Sequence, residues 1–396
     1  MTAARPLDIA IVHHLPEAGG APRVLAEYVT RRPQHRFTVY TRMPQAPPEL
    51  RLVALPEEVT VHRLALREPR SGRHRLWQLA RLGHYGRTLA ARIDAAGHDV
   101  VFAHASVLVQ AHEVLPHLRT PTLAYAPEPL RALYEPMPVF GAPASLRARL
   151  VRAGLDPYEA LRKRLDRRHI QGADTIVTHS RFTASNLERI YGVRAGIVTL
   201  GVDGEAFSPA GVPRERTVLS VGALHPLKGH QDVIAAVATI PGEVRPRVVI
   251  VGDRGALAEE LGAQARRLAV QLELLQGLPH DRLVDEYRRA GVVAAAMLRE
   301  PFGLVTLEAM ACGAAVVAVA EGGLLETVLD GQTGLLVARD PAALGAALGR
   351  VLDDRALAAR LGAAGRAAAV RDWSWERTAD AFDDLLAALA ARGPRG

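Results

Sequence analysis

Residues 292–313 read Val292-Val-Ala-Ala-Ala-Met-Leu-Arg299-Glu300-Pro-Phe-Gly303-Leu-Val-Thr-Leu-Glu308-Ala-Met-Ala-Cys-Gly313. A short apolar run, a tight loop around Pro301 and Gly303, and a helical stretch from Leu304 make one β-loop-α unit of a parallel sheet buried on both faces. The pattern recurs outward in both directions. Apolar runs rich in Val and Ile, ending in Gly, His or Ser, alternate with longer Ala/Leu/Arg segments of helical period. The first half predicts strands at 8–12, 37–40, 59–63, 100–104, 122–125, 175–178 and 196–200. After Phe207 the pattern restarts, with strands at 218–221, 247–251, 273–275, 292–295, 315–319 and 334–337. Two sheets imply two α/β domains, and the turn-rich stretch 201–213, with Ser208-Pro209 and Gly211-Val-Pro213, is the expected linker.

The composition fits that reading. A chain of 396 residues, 49% hydrophobic and 23% charged, is long enough for two cored domains, and disorder, collagen and coiled coil are excluded as descriptions of the whole. The net charge of +7 favours anionic partners. One cysteine, Cys312, cannot make an internal disulfide, the start of the chain lacks the apolar core of a signal peptide, and Glu308 interrupts the most apolar region. A cytoplasmic protein, or one peripheral at the inner face of a membrane, is expected. Two segments are strongly basic: 67–92, with Arg67, Arg70, Arg73, Arg75, Arg81 and Arg87, and 147–168, with Arg162-Lys163-Arg164 and Arg167-Arg168. They read either as solvated helix faces or as a contact for an anionic membrane, and neither has the alternating aromatics of a nucleic-acid platform. No nucleic-acid partner is expected.

Chemistry in parallel sheets is sought at strand ends. Gly303 lets backbone approach a ligand closely, and the helix N-terminus beginning at Leu304 suits phosphate or sugar oxygens. Glu300 before that helix and Glu308 inside it can reach one elongated ligand; taken singly they read equally as a loop carboxylate and a charge favourable to the helix dipole. Of 49 basic residues only two, Lys163 and Lys228, are lysines. In a chain so biased to arginine, a lysine before Gly229 points to a need for a compact ammonium. No Asp-x-Asp, Gly-x-Gly-x-x-Gly or Gly-x-x-x-x-Gly-Lys-Ser/Thr occurs; Val251-Gly-Asp-Arg-Gly255 is too short for the second. No metal and no resident cofactor are expected.

The stretch from Arg299 to Gly313, with its Glu-x7-Glu spacing, resembles the retaining glycosyltransferases of family 4, and the resemblance continues through Ala315-Val-Val-Ala-Val-Ala-Glu-Gly-Gly-Leu-Leu-Glu326 to Gly331-Gln-Thr-Gly-Leu-Leu-Val337. Leu219-Ser-Val-Gly222-Ala-Leu-His-Pro-Leu-Lys228-Gly229 is similar to the family's donor-phosphate loop, and Gly277-Leu278-Pro-His to its nucleobase turn. In the first half, Gly19-Gly20-Ala-Pro-Arg23 is similar to the Gly-Gly loop and Val100-Val-Phe-Ala-His104 to the strand ending in the family histidine. Tyr125-Ala-Pro-Glu-Pro129-Leu-Arg131 is similar to an acceptor-side segment of some envelope-polysaccharide transferases, His179-Ser180-Arg181-Phe182 to an Asn-Ser-x-Phe segment, Gly201-Val-Asp203 to the hinge, and Trp373-Ser-Trp375-Glu376 to the start of the last helix.

The resemblance implies a GT-B fold, two Rossmann-like β/α/β domains facing across a cleft: an acceptor-side domain at 1–203, a nucleotide-sugar domain at 204–370, and a helix at 371–396 that crosses back. It implies transfer of a hexosyl group from a UDP- or GDP-sugar, with retention and without metal, to a cell-envelope glycan or a lipid-linked sugar, the domains hinging on donor binding. The implied donor set is Gly20, Arg23, Gly222, Lys228, Leu278, Glu300, Phe302, Gly303, Leu304 and Glu308. Lys228 meets the diphosphate, Glu300 the sugar hydroxyls and Glu308 the ribose; His104 contacts the reacting sugar, and Tyr125 and Arg131 lie on the acceptor side. The family's arginine five residues before the lysine is Ala223 here, a departure worth roughly 1.5–3 kcal/mol of charge-assisted hydrogen bonding unless His225 or Arg23 replaces it. A transferase of small-molecule natural products, a phosphorylase or epimerase of the same fold, and a non-catalytic nucleotide-sugar-binding partner are the alternatives.

Overall fold

The computed structural model of the protein describes residues 5–13, 20–41, 56, 58–63, 72–106, 109–135, 146–253 and 257–395, without the side chains of 20–22, 72–76, 132 and 146–156. The chain divides into two compact units. The first comprises Met1–His179, Thr183–Thr199 and Glu376–Gly396; the second comprises Ser180–Phe182 and Leu200–Trp375. The boundaries expected after 203 and 370 thus move to 199/200 and 375/376. The physical cause is local: Val202 bridges to Ser374, its amide donates to Trp373 O at 2.9 Å, and a Cβ on Gly201 would lie 2.1 Å from Trp375 N. The two crossing segments are zipped together and stay with the second unit.

The first unit carries a seven-stranded parallel sheet of β1 (Asp8–Val12), β2 (Arg36–Thr41), β3 (Thr60–Arg63), β4 (Val100–Ala103), β5 (Thr122–Tyr125), β6 (Thr175–Thr178) and β7 (Gly196–Ile197), in the order β3-β2-β1-β4-β5-β6-β7. The strand expected at 196–200 keeps only two residues, because its neighbour β6 ends at Thr178 and offers the chain no further ladder after Val198 N–Thr178 O. Helices α1 (Gly20–Arg31), α2 (Gly72–Ala96), α3 (Arg131–Tyr134), α4 (Leu146–Ile170) and α5 (Arg181–Tyr191) connect these strands.

The second unit repeats the plan with six strands, β8 (Thr217–Val221), β9 (Arg247–Gly252), β10 (Leu272–Gln276), β11 (Val292–Ala295), β12 (Val316–Val319) and β13 (Leu335–Val337), ordered β10-β9-β8-β11-β12-β13. Its helices are α6 (His230–Ala238), α7 (Leu257–Arg267), α8 (His280–Arg289), α9 (Leu304–Ala311), α10 (Leu324–Thr327), α11 (Pro341–Asp353) and α12 (Arg355–Asp372). Alternate strand residues such as Val218, Val248, Ile250, Val292, Ala294 and Val317 join α6, α7 and α11 in one apolar cluster. The intervening Leu219, Val249, Val293 and Ala318 are equally buried, so the sheet is covered on both faces and its strands read as continuous apolar runs.

The final helix, Trp375–Ala390, packs through Phe382 on Tyr28 of α1 and Phe102 of β4 and binds α1 through a charge cluster. Arg32 reaches Asp383 at 2.6 Å, Glu376 at 3.1 Å and also Asp380, while Tyr28 donates to Asp383 at 2.7 Å and His35 lies 3.2 Å from it. Burial pushes the Asp383 carboxyl up, but the hydrogen bonds from His35, Tyr28 and Arg32 outweigh it and hold the group below the ordinary carboxylate range. A depressed acid stabilises the fold above its unfolded value and loses that contribution as pH falls through the folded one. Asp383→Asn is therefore expected to lower the melting temperature near neutral pH by several degrees and to flatten the fall in stability below about pH 4. Melting curves from about pH 7 to about pH 3 check this; a variant melting like the wild type at every pH contradicts it.

Candidate active site

Both sheets carry their first strand in the interior, beside the fourth, so the loops leaving β1 and β4, and those leaving β8 and β11, diverge from a common crevice at the strand ends. In the second unit β8 is followed by Gly222, whose Cα lies under the stem of Lys228: a Cβ there would meet Lys228 Cγ at 3.2 Å. Lys228 ends a short 3-10 turn, Pro226–Lys228, in which His225 accepts from Leu227 N through Nδ1 at 3.2 Å. His225 thus spends this nitrogen on its own turn. Gly229 follows at φ 68°, and a Cβ on it would lie 2.0 Å from Ala296 O. Only glycine permits the turn and the approach together.

The loop after β11 meets this turn directly, because Leu298 N donates to Leu227 O at 2.8 Å. Lys228 Nζ then donates to Glu300 Oε2 at 2.8 Å, with the two side chains 32% and 16% exposed. Glu300 O accepts from Gly323 N at 2.7 Å, and Pro301 O accepts from Ser180 Oγ at 2.6 Å. Phe302 is buried against Trp373, Gly303 turns the chain at φ 107°, and α9 begins at Leu304 with this glycine, which has no side chain to cap it, as its N-cap. Glu308, five residues into α9, is buried and accepts from Tyr287 OH at 2.9 Å through Oε2. An ammonium, a carboxylate and a helix N-terminus are thereby gathered at one strand end. Leu278 lies beyond the turn at Gly277 after the edge strand β10, with β9 between that strand and β8.

In the first unit His13 follows β1, His104 follows β4, Tyr125 ends β5 and His179 follows β6. His13 and His104 stand edge to face with centroids 5.0 Å apart, and His104 and Tyr125 are also 5.0 Å apart. His104 Nδ1 accepts from Ala105 N at 2.8 Å, which places the ring proton on Nε2, a buried atom without a partner among the described residues. Burial, aided by His13, His179 and His112, lowers the His104 pKa well below the ordinary value, and burial brings His13 down to about 4. Both rings are neutral at physiological pH, and neither nitrogen of His13 has a hydrogen-bond partner among the described residues. A small cleft beside His104 is lined by Gln110, His112, Tyr125, Glu128 and Tyr191 among others.

Both residues expected on the acceptor side have partners within the first unit. Tyr125 is 3% exposed and its hydroxyl is engaged with His179 Nδ1 at 2.8 Å, so it forms a wall of the cleft because it ends a buried strand. Arg131, the first residue of α3, spends Nε on Glu135 Oε2 at 3.0 Å. Gly20 opens α1, and Arg23 lies 3.4 Å from Glu27 one turn on. Residues 15–19, Arg67, Arg70, Arg254 and Gly255 lie outside the described residues, as do the side chains of Arg73, Arg75 and Arg147. No sequence motif marks His13 or Tyr287. A polar residue closing a buried strand signals the first, whereas nothing in the sequence ties Tyr287 to Glu308. Among the described residues no group of three or more His, Cys, Asp or Glu could hold a metal ion.

The two basic segments become neighbours. Leu79 and Leu82 of α2 share an apolar cluster with Val109 and with Tyr158 and Leu165 of α4. Trp77 is 48% exposed, with Arg81 over its ring at 4.7 Å and Tyr85 at 5.5 Å from the same guanidinium; Arg162 lies over Tyr158 at 5.7 Å.

Residues 205–368 match the sequence profile of the family described as glycosyl transferases group 1. The chain is 37% identical over 251 residues to a D-inositol 3-phosphate glycosyltransferase of Xylanimonas cellulosilytica, covering 57% of this chain and 59% of that protein. It spans 45–62% of the length of eight such curated relatives. Its fold is similar to that of sucrose-phosphate synthase from Thermosynechococcus elongatus, with a TM-score of 0.76 at 22% identity over 98% of this chain and 100% of that one. It is similar also to Anabaena Alr3699/HepE in complex with UDP-glucose, with a TM-score of 0.70 at 19% identity over 97% and 100%. The segment 205–368 is similar to the glycosyl transferases group 1 family, and the chain as a whole has the two-sheet GT-B fold.

Proposed function

We propose that the protein transfers a hexosyl group from a nucleoside diphosphate sugar to an acceptor hydroxyl or amine, with retention of the α configuration and without a metal. The observation that carries this reading is the Lys228–Glu300 pair at the strand ends of β8 and β11, beside the uncapped start of α9. Each charge of the pair has a natural new partner in such a donor. The diphosphate takes the Lys228 ammonium as a stronger anion than one carboxylate, and the released Glu300 accepts from hydroxyls of the donor sugar. The Phe302, Gly303 and Leu304 amides face sugar and phosphate with the helix dipole behind them. Glu308, oriented by Tyr287, accepts from the ribose, and Gly222 admits the phosphates close to backbone.

The bond from the anomeric carbon to the β-phosphate oxygen breaks, the acceptor oxygen or nitrogen bonds to that carbon on the same face, and the leaving diphosphate takes the acceptor proton. No separate base is then needed. The protein's contribution is orientation and stabilisation of the charge growing on the diphosphate. The neutral His104, with its proton on Nε2, supplies a hydrogen bond to a sugar hydroxyl without adding charge. UDP-glucose bound to the similar HepE fold supports a UDP-sugar, and the name of the curated relatives supports a small phosphorylated polyol as an alternative to an envelope glycan or lipid-linked acceptor.

The adjacent faces of α2 and α4 fit the anionic lipid surface on which a lipid-linked acceptor would lie. Arg81, Arg87, Arg92, Arg164, Arg167 and Arg168 are exposed or nearly so, and Trp77 supplies an interfacial anchor. No helix among the described residues is long and apolar enough to cross a membrane.

Thermal shifts with UDP, GDP, ADP and dTDP, each with and without its common sugars, test the donor site. Saturation to about 100 times Kd adds roughly 2.7 kcal/mol, a rise of a few degrees. Lys228→Ala is expected to weaken the active nucleotide about 10- to 100-fold, the worth of a charged hydrogen bond; no shift with any nucleotide, or an unchanged affinity in the variant, contradicts the assignment. Sedimentation with phosphatidylglycerol and phosphatidylcholine vesicles tests the surface. Binding only to the anionic vesicles, reduced by salt and by the paired change Trp77→Ala with Arg81→Ala, is expected, and equal sedimentation with both lipids contradicts it.

A further inference from the structure

Arg339, two residues beyond β13, is distant in sequence from both Lys228 and Glu300, and it belongs to no motif of the sequence reading. Its guanidinium makes five hydrogen bonds: Nε to Glu321 Oε1 at 2.8 Å, Nη2 to Glu321 Oε2 at 2.9 Å and to Met297 O at 2.8 Å, and Nη1 to Ala296 O at 2.8 Å and to Asp232 Oδ2 at 2.7 Å. These acceptors lie on the segments that hold the pair in place. Ala296 and Met297 are the chain directly before Arg299 and Glu300; Asp232 is in the first turn of α6, just after Lys228 and Gly229.

Glu321 carries the arrangement one step further, because it also accepts from Arg299 N at 3.4 Å. Arg299 has φ 48°, the left-handed region that a non-glycine residue occupies only when its surroundings impose it. That turn aims Glu300 at Lys228. The planar fork of a guanidinium can bind two main-chain carbonyls and two carboxylates at once; an ammonium offers three donors at one point and cannot span them.

We propose that Arg339 is a positioning residue of the donor site: by binding the end of β11, the first turn of α6 and Glu321 together, it fixes the separation of Lys228 and Glu300. This rests on the donor-site reading for its purpose, but the geometry it asserts is testable by itself. The chain has two lysines, so lysine labelled with carbon-13 at Cε gives two side-chain NMR signals, assigned by Lys163→Arg.

Glu300→Gln breaks the ion pair and moves the Lys228 signal. Arg339→Gln is expected to move it in the same direction by a comparable amount, to leave the Lys163 signal in place, and to add nothing in a chain already carrying Glu300→Gln. Arg339→Lys, which keeps the charge and loses the fork, is expected not to restore the signal. Glu321→Gln gives the same movement through a milder change and serves if Arg339→Gln does not fold. A folded Arg339→Gln or Glu321→Gln with Lys228 at its wild-type position, or movements that add in the double variant, overturns the proposal. UDP added to the wild-type chain separates the two claims: a Lys228 signal that ignores UDP and the other nucleotides but responds to Arg339→Gln overturns the donor-site reading and supports the positioning.

Discussion

The parallel pairing of β8 with β11, Val292 against Val218 and Val293 against Leu219, is the constraint on which the second unit depends. These strands are far apart in sequence, yet their C-terminal ends emerge side by side. The helix after β8, α6, belongs to the apolar cluster on one face of the sheet. The helix after β11, α9, lies outside that cluster and packs with α8, α10 and α12. The two loops therefore part as they leave the sheet, and the space between them is where Lys228 and Glu300 meet. Burial of the strands on both faces fixes this register, because a slip would carry apolar side chains out of two packed layers at once.

Arginine in this unit works largely on carbonyls. Arg214 donates to Tyr287 O, Ala290 O and Cys312 O; Arg245 to Ile240 O, Ala238 O and Ala269 O; Arg366 to Phe207 O and Ala311 O. A planar group with five donors ties off several chain ends at once, which a lysine cannot do. Much of the basic excess in the composition is thus internal scaffolding of the second unit. In the first unit α2 and α4 place exposed arginines beside each other, so there the charge remains at the surface. Lys228 contrasts with these arginines: it sets a single ammonium against the single carboxylate of Glu300.

The first unit arranges its strand ends on a different principle. His13, His104, Tyr125 and His179 are brought together by four adjacent parallel strands, and burial favours the uncharged forms of His13, His104 and Tyr125. Neutral imidazoles offer directional hydrogen bonds without electrostatic cost to a polar, uncharged ligand group. The strand ends of the two units therefore differ in kind, an ion pair in the second and a group of buried rings in the first.

The strands were legible in the sequence because a doubly covered parallel strand must be apolar throughout, and each expected run appears as a strand, β7 alone being sharply shortened. That Lys228, Glu300 and Gly303 lie at strand ends was legible because glycine-bounded loops follow the apolar runs, while their roles are what the resemblance implies. Three things were settled only by tertiary structure. The unit boundaries moved because residues 201–202 and 373–375 pair across a long stretch of chain, an interaction no local pattern announces. The hydroxyl of Tyr125 was claimed by His179, since partners on adjacent strands depend on strand order. Arg339 acquired its place because five acceptors from three segments converge on it, and a hydrogen-bond hub is a property of convergence in space, which a sequence contains only implicitly.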